Sequence, residues 1–172
     1  VEREIRESAM VQLADFDFSA HRIVIVHGEG WNSGVIGLAA SHLREALYYP
    51  VIAMAESDGM LTGSCRSIPD VDIFRALSSA ADLMVKFGGH AQAAGLTIEK
   101  EKLPELQKRL DDYLFENIAE DAYIPTKEYD LEADLGELTE SPVRALAALE
   151  PTGCDNPEPV FRSLGRLIEA RP

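Results

Sequence analysis

Between residues 21 and 119 the chain switches repeatedly between two hydrophobic periods, and that switching admits few fold classes. HRIVIVH (21–27) is a short β-branched run bounded by turn signals, which predicts a buried strand. The segment from about 34 to 48 instead repeats Val35, Ile36, Leu38, Ala39, Leu43, Ala46 and Leu47 at helical spacing, with Ser33 as its expected cap and Pro50 as its stop. VIAMAE (51–56) predicts a second strand, and Asp58–Gly59 predicts a hairpin turn into MLTGSCRS. A further helix is predicted over about 72–85, opened by Pro69 and Asp70 and ended by Gly88–Gly89. AGLTIE follows as a strand. Leu103, Leu106, Leu110, Leu114 and Ile118 then mark a strongly periodic helix over 101–119. Strand, helix, strand, strand, helix, strand, helix is an α/β pattern: a compact, mostly covered mixed sheet flanked by helices.

The ends of the chain read differently. Residues 1–14 have helical composition, with a ragged apolar stripe of Ile5, Ala9, Val11 and Leu13. VEREIRESAM is charged and reads as the middle of a helix, not a signal peptide. Beyond Ala119, DAYIPTKEYD is polar and proline-containing, as a linker is, and EYDLEADL alternates like a half-buried strand. TESPVRALAALEP predicts a short helix capped by Thr139 or Ser141, and NPEPVFRSLGRLIEA begins another strand. The expected organisation is a connector helix (1–14), an α/β domain (15–120), and a linker with the start of a further β-containing module (121–172).

Charge narrows the partners. The net charge of −14 argues against a protein that coats nucleic acid generally. Residues 1–98 carry 7 basic and 12 acidic side chains, a balance of −5; residues 99–140 carry 5 and 14, a balance of −9. A polyanion would have to be gripped by a few placed residues. Cys65 and Cys154 are too few and too far apart for a disulfide framework or a thiolate metal site, which fits a reducing cytosol. No apolar run reaches the roughly eighteen residues of a membrane span, so no membrane partner is expected.

Three clusters of small and polar residues carry the chemistry: HGEGWNSG (27–34), GSCRS (63–67) and FGGHAQAAG (87–95). In α/β folds such element ends line the ligand crevice. Arg66 is the best anion anchor, because its planar fork takes two phosphate oxygens together; its alternative is an ion pair with Asp70 or Asp72. Ser64 and Ser67 add neutral donors. Gly88 and Gly89 either make a turn, with His90 bonded to nearby backbone, or clear space for His90 and bare N–H groups to meet an anion. Trp31 can stack on a base or plug the space above the sheet. Cys65 reads as a small buried strand residue despite its cationic neighbour. His21, His27, His42 and His90 fall in no metal-binding spacing, so no metal bound by this chain is expected.

WNSGVIGLAASHL, PVIAMAE, GSCRS and KFGGHAQAAGLTI, in that order and spacing, resemble the accessory domain of DHH-superfamily phosphoesterases. LEPTGCDNPEPVF narrows the resemblance to the RecJ single-strand-specific exonucleases. The resemblance implies a DHH catalytic domain, absent from this chain, that binds manganese or magnesium ions. It implies an accessory domain facing that centre and holding nucleic-acid phosphates. Ser64 and Arg66 would then bind a phosphate, while Gly88, Gly89 and His90 border the scissile end, with His90 the one candidate for a catalytic part. The C-terminal module would be OB-like.

The implied whole is a metal-dependent hydrolase that degrades single-stranded DNA from its 5′ end in cytoplasmic repair and recombination, with this piece inert alone. Its partners would be single-stranded DNA, its own DHH domain, and single-strand-binding or replication proteins. Two departures bear on the transfer: Asn32 stands where the family has histidine after tryptophan, and Asp155 sits where it has a glycine-rich turn before NPEPVF. The alternatives are the accessory domain of an oligonucleotide or cyclic-dinucleotide phosphodiesterase, the domain appended to alanyl-transfer-RNA synthetases, and a non-catalytic replication or repair interaction protein.

Overall fold

The computed structural model describes residues 1–166. The chain forms two units, Val1–Pro125 and Thr126–Pro172. The first contains α1 (Glu2–Gln12), β1 (Val24–Glu29), α2 (Ile36–Leu47), β2 (Val51–Ser57), β3 (Met60–Arg66), α3 (Ile73–Ser78), β4 (Met84–His90), β5 (Ala93–Glu99) and α4 (Leu103–Asn117). Its five strands form one mixed sheet in the order β1-β2-β3-β5-β4, in which only β1 and β2 run parallel. The α/β expectation holds, and the hairpin turn falls at Asp58 and Gly59, both with positive φ.

Each face of the sheet has its own core. On one face, Val24, Val26, Val51 and Ala53 lie under α2, and Ile5 and Ala9 of α1 join them. On the other, Ile52, Met54, Leu61, Cys65, Leu96 and Ile98 pack against α3 and the Leu106–Leu110–Leu114 stripe of α4. α4 is also tied to the start of β1 by a buried carboxylate. Asp111 accepts hydrogen bonds from the Arg22 backbone N–H (2.7 Å) and Gln107 Nε2 (2.8 Å), and His21 Nδ1 lies 2.6 Å away.

The two edges of the sheet are treated differently. The Gln12 side chain covers β1, donating to the His27 carbonyl (2.8 Å) and accepting from its N–H (3.3 Å). That bidentate amide blunts an edge that would otherwise invite pairing. β4, at the opposite edge, has no such cover from helix α1.

Three sequence expectations are corrected. The helix predicted over 72–85 ends at Ser78, where the Ser78 and Ser79 hydroxyls bond back to the carbonyls of Phe74 and Ala76. A 3-10 turn at Ala81–Leu83 then leads into β4, so Gly88 and Gly89 lie inside a strand and terminate no helix. A ladder of six paired positions with β5, with one irregularity between Met84 and Lys86, outweighs the local helical pattern, because each strand group gains a distant partner that a short window cannot see. The helix over 34–48 begins at Ile36 without a side-chain cap from Ser33; Asn32 opens it instead. Its carbonyl takes the Val35 and Ile36 N–H groups, and its side chain takes that of Gly34 at 2.8 Å.

In the second unit, β6 (Leu131–Glu132) pairs in parallel with β7 (Phe161–Arg162), with α5 (Glu140–Ala145) between them in sequence. The EYDLEADL strand is therefore only two residues long. Residues 167–172 of the expected last strand lie outside the described residues.

Candidate phosphate-binding face

The register of the sheet brings two of the three small-residue clusters together. Arg66 of β3 is opposite Ala93 of β5, which is opposite His90 of β4. Directly opposed residues project from the same face, so Arg66 and His90 share the α2 face although 24 positions separate them. The next row on that face is Ser64, Gly95 and Gly88, and the one after it Thr62, Thr97 and Lys86.

α2 sets the direction of Arg66. The guanidinium donates from Nε to Ser41 Oγ (3.1 Å) and from Nη1 to Ser64 Oγ (3.1 Å) and the Cys65 carbonyl (2.7 Å). Its Nη2 lies against Gly37, where a Cβ would come within 3.1 Å of it. The side chain is thus folded back along β3 toward the first turn of α2. That turn carries no acidic residue and no side-chain cap, so its positive end adds to the charge of Arg66. Arg22, Arg44, Arg75 and Arg109 each pair with a carboxylate, whereas among the described residues none pairs with Arg66. Asp72, one alternative partner, instead caps α3 through the Arg75 N–H (3.0 Å). A half-buried cation held by neutral groups alone is suited to an anion from outside.

The remaining residues divide. His90 is exposed, and its Nδ1 accepts the Gln92 N–H at 3.3 Å, which leaves the proton of a neutral ring on Nε2, free to donate. Gly88 faces the open side of the sheet. Gly89 faces the other way at φ 147°, and a Cβ there would fall 2.4 Å from the Ala93 carbonyl oxygen, so its role is conformational. Ser67 is no donor to a ligand: it is buried and spends its hydroxyl on the Val71 carbonyl at 2.6 Å.

Trp31 does not join the Arg66 row. Its indole sits over Gly28 of β1, two strands from β3, and borders a separate hollow with Glu29, Glu56 and Asp58. Those acids would repel a phosphate. Sequence reasoning missed Gly37, Ser41 and Lys86. The first two carry a faint signal, small residues one turn apart on a helix.

Cys65 lies directly behind this face, fully buried, and burial pushes its thiol up to about 12 against the opposing charge of Arg66. Cys154 is exposed. A thiol reagent at pH 8 is expected to modify Cys154 within minutes and Cys65 only on denaturation, since the thiolate is the reactive form. Two equally fast thiols in the native protein would contradict the burial.

Among the described residues no group of three His, Cys, Asp or Glu side chains is placed to hold a metal ion. Among the described residues no helix is long and apolar enough to cross a membrane.

The DHHA1 domain family matches residues 20–116, more than half of the chain. The single-stranded-DNA-specific exonuclease RecJ of Bacillus subtilis is 36% identical over 152 residues, 87% of this chain and 19% of that protein. The Thermus thermophilus RecJ is 36% identical over 173 residues, 98% of this chain and 24% of its own length. A crystal structure of the Thermus RecJ in complex with Mg2+ superposes with a TM-score of 0.72 at 31% identity, over 93% of this chain and 25% of that one. The chain spans about a quarter or less of these relatives. With the α/β sheet and these likenesses in agreement, the chain belongs to the DHHA1 domain family and, within it, is similar to the RecJ exonucleases.

Proposed function

We propose that this chain is the phosphate-holding accessory part of a RecJ-like exonuclease that degrades single-stranded DNA from its 5′ end, acting in cytoplasmic DNA repair and recombination. The observation that carries the reading is Arg66: a guanidinium fixed by two serines and a carbonyl, unneutralised, beside the first turn of α2. In this role Arg66 and the Ser64 hydroxyl bind one phosphate and fix the register of the strand. His90, in the same row as Arg66, donates from Nε2 to a phosphate oxygen and stabilises charge that grows there during cleavage.

The described residues do not fit a metal, so any manganese or magnesium belongs to a DHH catalytic domain outside this chain, where it would activate water. RecJ structures have been solved in complex with Mg2+ and with Mn2+. That catalytic domain would face the Arg66 row, with residues 1–14 as the connector to it and residues 121–172 as the linker and start of an OB-like module. Single-strand-binding or replication proteins are further partners of the proposed whole.

The 172-residue chain is accordingly expected to leave labelled single-stranded DNA intact when incubated with manganese. With a net charge of −14, it should bind single strands only at about high-micromolar affinity, since phosphate neutralisation dominates such binding. Cleavage that persists through repurification and titrates with the chain would overturn the assignment of catalysis to another domain. Tight, salt-insensitive binding would overturn the picture of a few local anchors.

A further inference from the structure

The segment by which the chain enters the α/β domain and the segment by which it leaves belong to opposite faces of the sheet. Leu13, Phe16 and Phe18, which follow α1, pack on the α2-face core. Ile118, Ala122 and Tyr123, which follow α4, pack on the other. Tyr123 is the last buried residue of the described chain; every described residue after it is exposed or half-buried. Neither segment has much regular structure of its own. The entry runs in turns from Gln12 to β1, and the exit is a single 3-10 turn, Glu120–Tyr123.

Two side chains join them. Tyr49, just ahead of β2, packs against both cores, as no other described residue does. Its hydroxyl donates to the Phe18 carbonyl at 3.2 Å, and its ring meets Phe18 edge-on at 5.1 Å and Tyr123 at 4.8 Å. Phe16 extends this row, 4.9 Å from Phe18 and 5.0 Å from the His21 ring. Ring contacts therefore run in series from entry to exit, past the end of the sheet where β1 and β2 begin. Arg22 makes the second link. Asp111 of α4 holds its backbone N–H at 2.7 Å, and its guanidinium lies over the rings of Phe115 (4.6 Å) and Tyr123 (5.0 Å). Its ion-pair partner, Glu120 at 3.2 Å, is 86% exposed against 13% for the Arg22 side chain, so the rings hold the guanidinium more firmly than the carboxylate does.

We propose that Tyr49 and Arg22 form a clasp that couples the two segments across the sheet, so that loosening the chain where it enters loosens it where it leaves, and the reverse. The two segments would otherwise open independently, because each is fastened to a different core and neither carries enough regular structure to hold itself. A coupling of this kind is reciprocal: the factor by which a disturbed entry raises opening of the exit equals the factor in the other direction. The clasp stands on this chain's own geometry. Its use in the proposed whole enzyme, where movement of the connector helix would reach the linker through it, rests on the functional reading above.

The test is amide hydrogen exchange, read by NMR on the isotope-labelled 172-residue chain, with urea unfolding beside it. The exit reporters are the Ala122 and Ile124 N–H groups, bonded to the carbonyls of Ala119 and Asp121. The entry reporters are those of Phe16 and Ala20, bonded to the carbonyls of Leu13 and Asp17. Phe18→Ala removes a ring that meets Tyr49 on the entry side, yet it should speed exchange at the exit reporters by about five- to tenfold. Tyr123→Leu should speed the entry reporters by a similar factor. Tyr49→Phe, which gives up only the hydroxyl bond, is the milder variant should alanine unfold the domain, and should speed both pairs by about twofold. Leu77→Ala, a core truncation in α3 away from the clasp, supplies the control for a general loss of stability. Exit reporters as well protected in the folded Phe18→Ala and Tyr49→Phe chains as in wild type would overturn the clasp. So would Leu77→Ala accelerating both pairs equally at the same loss of global stability. Neither result touches the Arg66 face, whose tests use DNA, so the proposed function stands or falls separately.

Discussion

Arg66→Ala in the proposed whole enzyme is expected to weaken single-stranded DNA binding by about 1.5–3 kcal/mol, the scale of a hydrogen bond to a charged group. The loss should come with little change in stability. The partners of Arg66 are two serine hydroxyls and the Cys65 carbonyl, and no carboxylate is stranded by its removal. Arg66→Lys should recover only part of the binding, because an ammonium cannot hold Ser41 and Ser64 and still present a planar fork to two oxygens. His90→Ala should behave differently. If its contact to phosphate strengthens as charge develops, turnover falls more than affinity. Melting temperature, affinity and single-turnover rate for the three variants separate these roles. Unchanged turnover per folded molecule together with a large stability loss would mean that both residues serve the fold alone.

The largest stability effect is expected far from that face. Asp111→Ala should cost about 3 kcal/mol, the range for breaking a buried charged network by removing one member. The substitution leaves the Arg22 N–H without its acceptor and reduces the hydrogen-bonded tie between α4 and the start of β1 to the Gln107 bond to the Ile23 carbonyl at 3.1 Å. Asp112 provides the control. It is exposed and paired with Lys108 at 2.6 Å, one turn away on the same helix, so Asp112→Ala should change stability by at most about 0.5 kcal/mol. Urea unfolding of the two variants is the measurement. Equal midpoints would show that the Asp111 network carries no net weight.

Local pattern was sufficient for much of this molecule because each legible element carries its own apolar signal, one stripe for a helix and a short unbroken run for a strand buried on both faces. The β-branched run of β1, the VIAMAE strand and the leucines of α4 repeat at the period of the structure they adopt, and Asp58–Gly59 has the φ preferences its turn needs. Arg66 and His90 were legible as chemistry because so few side chains bind phosphate well. The family was legible from the ordered motifs around them.

What remained hidden depends on partners distant in sequence. β4 is an edge strand whose register comes entirely from β5, so its glycines looked like a helix stop until the ladder showed them facing opposite sides of a sheet. Ser67 looked available until the fold turned it toward Val71, and HGEGWNSG looked like part of one crevice with GSCRS until Trp31 settled over Gly28. Gly37, Ser41 and Lys86 lie inside the family-like segments, yet nothing local shows that they border the Arg66 face. The amino-acid sequence alone determined the α/β class, the strand and helix cores and which residue types are proposed to meet phosphate, since these follow from periodicity and side-chain chemistry. Only the tertiary structure decided that no carboxylate among the described residues pairs with Arg66 and that His90 stands in its row, because register and burial join residues that the chain keeps far apart.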